Sequence, residues 1–322
     1  MPRYSRTVPR RDAAPASATP ELARPRSFDA GYGQQVDRGL CLGGGGLFFV
    51  AWQVAYLQTL AGLGLRFDRA DRVVGTSAGS MVAAALTGGR LKLLHSEISL
   101  LARIPSLVAA LAPASVLKPS QQRALDLFLE ATDGDQATVQ AIGHAALAAV
   151  TPRAEAMRRN VSLVLGPGRL TSEALQITCV DTYTGERCVV TRDTKVTLAR
   201  AVAASSAVPG LFAPQPIGDR LCMDGGVSGT GTHLDLLGGS KRVLVLALTD
   251  GADLAGGMMT ANPDDGRREV EDLEGSGTSV MLRTPSQVDL LELMSPTAVP
   301  RAVAMGTRQA NDDLKLLSTF WV

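Results

Sequence analysis

The chain is 322 residues long, with 32 Lys and Arg against 31 Asp and Glu, 45% apolar residues and 33 glycines. Near-zero net charge excludes a broad nucleic-acid-binding surface, which carries a marked basic excess, and the apolar share excludes a solvated disordered chain. Between Arg38 and Arg66 lie 27 consecutive uncharged residues; roughly 20 apolar residues suffice to cross a bilayer, so any reading must explain this stretch.

Residues 1–36 are rich in Pro, Arg, Ala and Ser without apolar periodicity, and predict a disordered tail. Arg10-Arg11 lacks the apolar run that a twin-arginine leader requires. No signal peptide or transmembrane segment is expected, and the chain reads as cytoplasmic. The remainder, 37–322, is expected to form one domain. It begins with a strand at Gly39–Leu42, four glycines, and a helix over Leu47–Leu63, where Phe48, Trp52, Ala55, Tyr56, Leu60 and Leu63 recur at helical spacing. Gln53 and Gln58 give that helix polar positions, making it amphipathic. A strand at Arg72–Val74 and a helix over Ala78–Thr87 follow, the helix stopped by Gly88-Gly89. Strand–helix–strand–helix order argues for a parallel sheet covered by helices, and such strands exclude charge.

From about 90 to 160 the pattern predicts a helical insertion, broken at Pro105, Pro113, Pro119 and Pro152. Its apolar positions Ile98, Leu101, Ile104, Leu107, Val108 and Leu111 fit either a core helix or a lid for lipid entry. Strands at Leu175–Val180 and Glu186–Thr191 form a hairpin, and a helix covers Val196–Ser205. A Pro-rich loop, a short strand at Arg220–Met223 and a central strand over Lys241–Leu248 come next. Residues 251–277, with six acids between 264 and 274, predict a mobile acidic loop. Helices over Pro285–Met294 and Ala298–Leu317 end the chain. Cys41, Cys179, Cys188 and Cys222 each sit in apolar runs and read as buried free thiols; a bridge between Cys179 and Cys188 across the hairpin is the alternative. With no Cys-x-x-Cys, and only His95, His144 and His233, neither metal nor cofactor is expected.

Three places carry chemistry. Gly75-Thr76-Ser77-Ala78-Gly79 is a G-x-S-x-G sequence between a strand and a helix, the context that exposes a nucleophilic serine on a sharp turn. Gly43-Gly44-Gly45-Gly46 also joins a strand to a helix, and its amides can converge on an anion. A dinucleotide fingerprint fails there, because its third glycine falls on Phe48 or Phe49 and no acid ends the second strand. An oxyanion hole fits better. Asp224-Gly225-Gly226 follows a short apolar strand and can present a carboxylate to a cleft.

Glycine loop, G-x-S-x-G and a distant Asp-Gly-Gly, together with LARAVAASSAVPGLFAP at 198–214, resemble the patatin-like phospholipase family over roughly Arg38 to Thr249. The resemblance implies a three-layer α/β patatin-like fold, with a mainly parallel central sheet and helices on both faces. It also implies a serine acyl hydrolase of phospholipase A or esterase type, acting on phospholipid, lysophospholipid or neutral lipid through an acyl-enzyme. Ser77 would be the nucleophile and Asp224 its base, with Gly44, Gly45 and Gly46 in the oxyanion hole. Gly43, Gly75, Gly79, Gly225 and Gly226 would complete the motifs. The implied partners are a lipid or acyl-ester substrate and a membrane surface contacted peripherally, without nucleic acid. The sequence departs from the family where Phe48 and Phe49 replace a usual basic residue and a glycine. Other readings remain open at this point: an acyltransferase on the same dyad, a lipid-binding or scaffold protein, and a triad of Ser77, Asp193 or Asp224, and His233. The uncharged run is then a buried strand feeding a glycine loop and a core helix, and four glycines would begin a spanning helix poorly.

Overall fold

A nine-stranded sheet forms the centre of the computed structural model, which describes residues 24–25, 35–101, 116–249, 265–289 and 292–322. The strands are β1 (Arg24–Pro25), β2 (Val36–Leu42), β3 (Arg72–Gly75), β4 (Leu175–Asp181), β5 (Arg187–Val190), β6 (Gln215–Ile217), β7 (Arg220–Asp224), β8 (Ser240–Leu246) and β9 (Ser279–Arg283). Strand order is β1-β5-β4-β3-β2-β8-β9, with β7 pairing β4 and β6. The pairs β4–β3, β3–β2, β2–β8 and β8–β9 are parallel, whereas β1, β5, β6 and β7 join antiparallel.

Side chains alternate between two cores, as the period of two requires. Leu40, Leu42, Val73, Leu244 and Leu246 face a cluster built on α1 (Gly46–Gly62), α2 (Ala78–Thr87), α3 (Leu91–Leu101), α6 (Ala154–Leu165), α7 (Leu198–Ser205) and α9 (Val299–Trp321). Cys41, Val74, Val243 and Val245 face Leu234, Leu236 and Leu237 of a short 3-10 turn and Leu273 of α8 (Asp265–Gly275). A third cluster joins Phe128 of α4 (Pro119–Leu129) and Ile142 of α5 (Gln136–Ala148) to Val180 and Met223. The fold is therefore α/β, with a mostly parallel sheet and helices on both faces.

The helix α1 corrects the expectation of amphipathicity. Phe48, Phe49, Trp52, Gln53 and Tyr56 are all buried, because α1 is sandwiched between α9 and the helices α2 and α3. Trp52 stacks on Phe49 at 5.4 Å and on Tyr56 at 4.9 Å, and each buried aromatic contributes roughly 2–3 kcal/mol. Two polar tips tie the helices together: Trp52 Nε1 donates to Gln309 Oε1 at 2.9 Å and Tyr56 OH to Asp313 Oδ2 at 2.6 Å. A helix buried on every side cannot carry charge. That explains the uncharged run.

Other expectations shift as well. Within the expected tail, Arg24–Pro25 pairs antiparallel with Val189 and Cys188 of β5, and Val36 already belongs to β2. The acidic segment is helical at its end, over Asp265–Gly275; the rest of the expected loop, 251–264, lies outside the described residues. Residues 284–289 are not helical, and β9 and β6 fall where no strand is expected. The strand at 240–246 lies between β2 and β9, one place from the sheet edge. Pro119 opens a helix instead of breaking one, as proline does in a first turn. All four cysteines are free, although Cys179 and Cys188 are register partners. Most of the expected lid, 102–115, lies outside the described residues.

Candidate active site

Topology brings the two distant motifs together. β3 pairs β4 at Leu175–Ile177, and β7 pairs β4 at Cys179–Asp181. Since β5 occupies the other edge of β4, β3 and β7 share one edge and run toward each other. Ser77 follows the end of β3, and Asp224 ends β7. Two strands meeting head to head therefore place a hydroxyl beside a carboxylate, although 147 residues separate them.

Ser77 has φ 49° and ψ −119°, a left-handed conformation that is strained for a residue with a Cβ. Neighbours hold it on both sides. Its N–H donates to Ser205 Oγ at 2.9 Å, and its carbonyl accepts from Ser80 Oγ at 2.6 Å and Ser206 Oγ at 3.1 Å. Ser205 and Ser206 close α7, inside the segment 198–214. Nothing in the pattern of that segment assigns them this role; consecutive serines at a helix end are the one signal of it. Gly79 is required for packing: a Cβ there would lie 1.8 Å from the Leu42 carbonyl oxygen.

Asp224 is buried, and its Oδ1 accepts from the Gly226 amide at 2.9 Å. Its Oδ2 is buried with no hydrogen-bond partner among the described residues. Burial pushes the carboxyl up to about 7, against the opposing pull of the Gly226 amide and the Ser77 hydroxyl. A base poised near neutrality can take a proton and return it.

The glycine loop divides its amides. Gly43 donates to the Leu246 carbonyl at 2.9 Å and Gly44 to that of Gly231 at 3.1 Å. The Gly44 amide is thus committed to the backbone, unlike its expected role. The amides of Gly45 and Gly46 have no acceptor among the described residues, and Gly46, at φ 67°, opens α1. Gln53 Nε2 fixes the loop from behind, donating to the Gly43 carbonyl at 2.9 Å. Phe48 and Phe49, at the departing positions, point into the core; the Arg301 guanidinium lies 5.8 Å above the Phe48 ring.

Ser77, Asp224 and Gly46 open onto one cavity of about 430 Å³. Its walls are largely apolar: Leu47 and Val50 from α1, Leu125, Phe128 and Leu129 from α4, and Met157 from α6. The predicted helical insertion therefore supplies much of the cavity.

The other candidates do not converge here. Asp193 is exposed on a 3-10 turn, beside Arg192. His233 is buried with its Nε2 on the Gly225 carbonyl at 3.2 Å and its Nδ1 on Arg187 Nη1 at 3.2 Å, so both ring nitrogens are engaged away from Ser77. His95 is half-buried and His144 exposed. Among the described residues no group of three His, Cys, Asp or Glu side chains is placed to hold a metal, and no helix is long and apolar enough to cross a membrane.

The family model for patatin-like phospholipase matches residues 40–235. Among solved structures, VipD from Legionella pneumophila is similar at 14% identity and a TM-score of 0.37, over 87% of this chain and 67% of that one. The type III effector protein ExoU is similar at 17% identity and a TM-score of 0.30, over 85% of this chain and 53% of that one. No curated protein matches the chain.

Proposed function

The chain belongs to the patatin-like phospholipase family, a family of lipid acyl hydrolases, and from that premise we propose that it hydrolyses fatty-acyl esters through a Ser77–Asp224 dyad. Ser77 Oγ attacks the ester carbonyl while Asp224 Oδ2 takes the hydroxyl proton. The amides of Gly45 and Gly46 receive the tetrahedral oxyanion, and preorganised donors of this kind are worth roughly 3–4 kcal/mol of barrier each. Collapse expels the alcohol, protonated by Asp224, and leaves an acyl-serine. A water molecule deprotonated by Asp224 then attacks the acyl carbon, and the departing Ser77 recovers the proton as the fatty acid leaves.

One observation carries the reading: Asp224 Oδ2 is buried with no hydrogen-bond partner among the described residues, and Asp224 lines the same cavity as Ser77. A buried acceptor left unmatched costs free energy, and a catalytic role accounts for its being kept. The apolar walls support a fatty-acyl chain as the occupant. Exposed Val116, Leu127 and Val150, on the segment that walls the cavity, support peripheral contact with a lipid surface.

Ser77→Ala is expected to abolish turnover of a p-nitrophenyl acyl ester and labelling by a fluorophosphonate, with the unfolding midpoint within a few degrees of wild type. Retained turnover would move the nucleophile elsewhere. Phospholipid, lysophospholipid and neutral esters, assayed with and without an alcohol acceptor, distinguish the headgroup class and separate hydrolysis from acyl transfer.

A further inference from the structure

We infer that His233 is a positioning residue for Asp224, acting through the peptide between Gly225 and Gly226. The inference rests on the proposed dyad and adds a part to it. The C=O and N–H of that one peptide point in opposite directions. Its N–H donates to Asp224 Oδ1 at 2.9 Å. Its C=O accepts from His233 Nε2 at 3.2 Å and from Ser228 Oγ at 2.9 Å. The orientation that leaves Oδ2 of Asp224 for the serine proton is thus set on the far side of the peptide plane.

The tautomer follows from the partners. Arg187 Nη1 is always a donor, so Nδ1 of His233, 3.2 Å away, must accept. The ring proton is then on Nε2, and it donates to the Gly225 carbonyl. Arg187 is itself fixed by Asp235 through two bonds of 2.8 Å. Burial and the Arg187 charge both hold the imidazole well below its ordinary range, in keeping with a neutral ring whose Nδ1 accepts. His233 also adopts φ 55°, in the left-handed region, and its ring is fully buried. A strained backbone and a guanidinium fixed by two carboxylate bonds serve one ring, whose Nε2 reaches one carbonyl. Donors along such a chain polarise one another, so the imidazole also strengthens the amide that holds Oδ1.

The test compares His233→Phe, which keeps a flat ring without donors, with His233→Gln, whose amide can donate to the carbonyl and accept from Arg187. Rates are divided by the number of fluorophosphonate-reactive sites, which removes the effect of unfolded protein. His233→Phe is expected to lose about tenfold in kcat per labelled site, with KM within twofold. Its acid limb moves to higher pH, because a weakened Gly226 bond no longer favours the charged carboxylate. His233→Gln returns the limb and most of the rate. Ser228→Ala, which removes the other donor to the same carbonyl, shifts the limb the same way by less, and decides the matter should His233→Phe fail to fold. Unchanged per-site kcat and limb in the variants that fold would overturn the inference, as would identical losses in Phe and Gln. A loss beyond about ten-thousandfold per site in both would instead make His233 the base of a triad. Turnover retained by Ser77→Ala, by contrast, removes the proposed dyad itself.

Discussion

The two halves of the site are supported by different chemistry. Ser77 is held by small neutral groups close around its own peptide: the hydroxyls of Ser80, Ser205 and Ser206, and the bare backbone of Gly79. Asp224 is held through a buried relay that ends in charge, from the Gly226 amide through His233 to Arg187 and Asp235. The nucleophile needs only a fixed, strained geometry, which neutral hydrogen bonds supply at every pH. The base needs a tuned proton affinity, and that is sensitive to polarity and orientation nearby. Substitutions on the two sides should therefore differ in pH dependence as well as in size.

Asp224→Asn produces the largest expected effect. Burial raises the carboxyl to about 7 from an ordinary value of 3.8, so the folded state favours the protonated acid. A raised carboxyl adds stability that is complete below its unfolded pKa and is lost as pH climbs through the folded value. Wild type should accordingly lose stability relative to Asp224→Asn between about pH 4 and pH 8, by on the order of 4 kcal/mol, the worth of that shift. Urea melts of both proteins across that range measure it. A constant difference between the curves would mean that Asp224 is charged and satisfied throughout. Wild-type activity should rise over the same range, with an acid limb near 7. The pH that arms the base is thus the pH that strains the fold.

Gly79→Ala tests the nucleophile side by sterics alone. The added Cβ would fall 1.8 Å from the Leu42 carbonyl oxygen, which belongs to a strand and accepts the Thr76 amide at 3.1 Å. Neither partner can yield without shifting α2 or β2, at a cost of about 2 kcal/mol or more. Thermal melts should show the loss with equal size at pH 5 and pH 8. A pH-dependent loss would couple this glycine to the base and erase the distinction.

The contrast also explains what could be read in advance. Ser77 and Asp224 as candidates, and the parallel strand–helix start, are legible because glycines punctuate them, and glycine marks places where backbone must lie bare. The helix at Ala78–Thr87 has its expected bounds, since Gly88-Gly89 stops it. The polarity of α1 is not legible: Gln53 reads as a solvent position, but its amide holds the Gly43 carbonyl inside the core. A buried glutamine and an exposed one are the same letter until their partners are known. The Arg187–His233–Asp235 relay is equally hidden, because Arg187 lies 46 residues before the histidine and the two meet only where the 3-10 turn after His233 packs on the sheet that holds Arg187. Gly44, grouped with its neighbours by sequence, is set apart by one long-range bond to the Gly231 carbonyl.

Ser205→Ala should give the smallest effect and the sharpest comparison with His233. Ser205 Oγ is the acceptor for the Ser77 N–H, whereas the Ser77 carbonyl accepts from Ser206 Oγ, Ser80 Oγ and the Ser80 amide. Removing Ser205 Oγ leaves a buried donor without its acceptor, which costs about 1–2 kcal/mol; removing Ser206 Oγ leaves a carbonyl that still has two donors, and should cost less than half as much. With its amide released, Ser77 can relax from φ 49° toward ordinary values, swinging Oγ away from Asp224. The rate per folded molecule should fall several-fold in Ser205→Ala, and the acid limb should stay in place, because nothing that sets the charge on Asp224 has changed. A displaced limb in this variant would show that the serine pair also tunes the base, so that the two supports form one network.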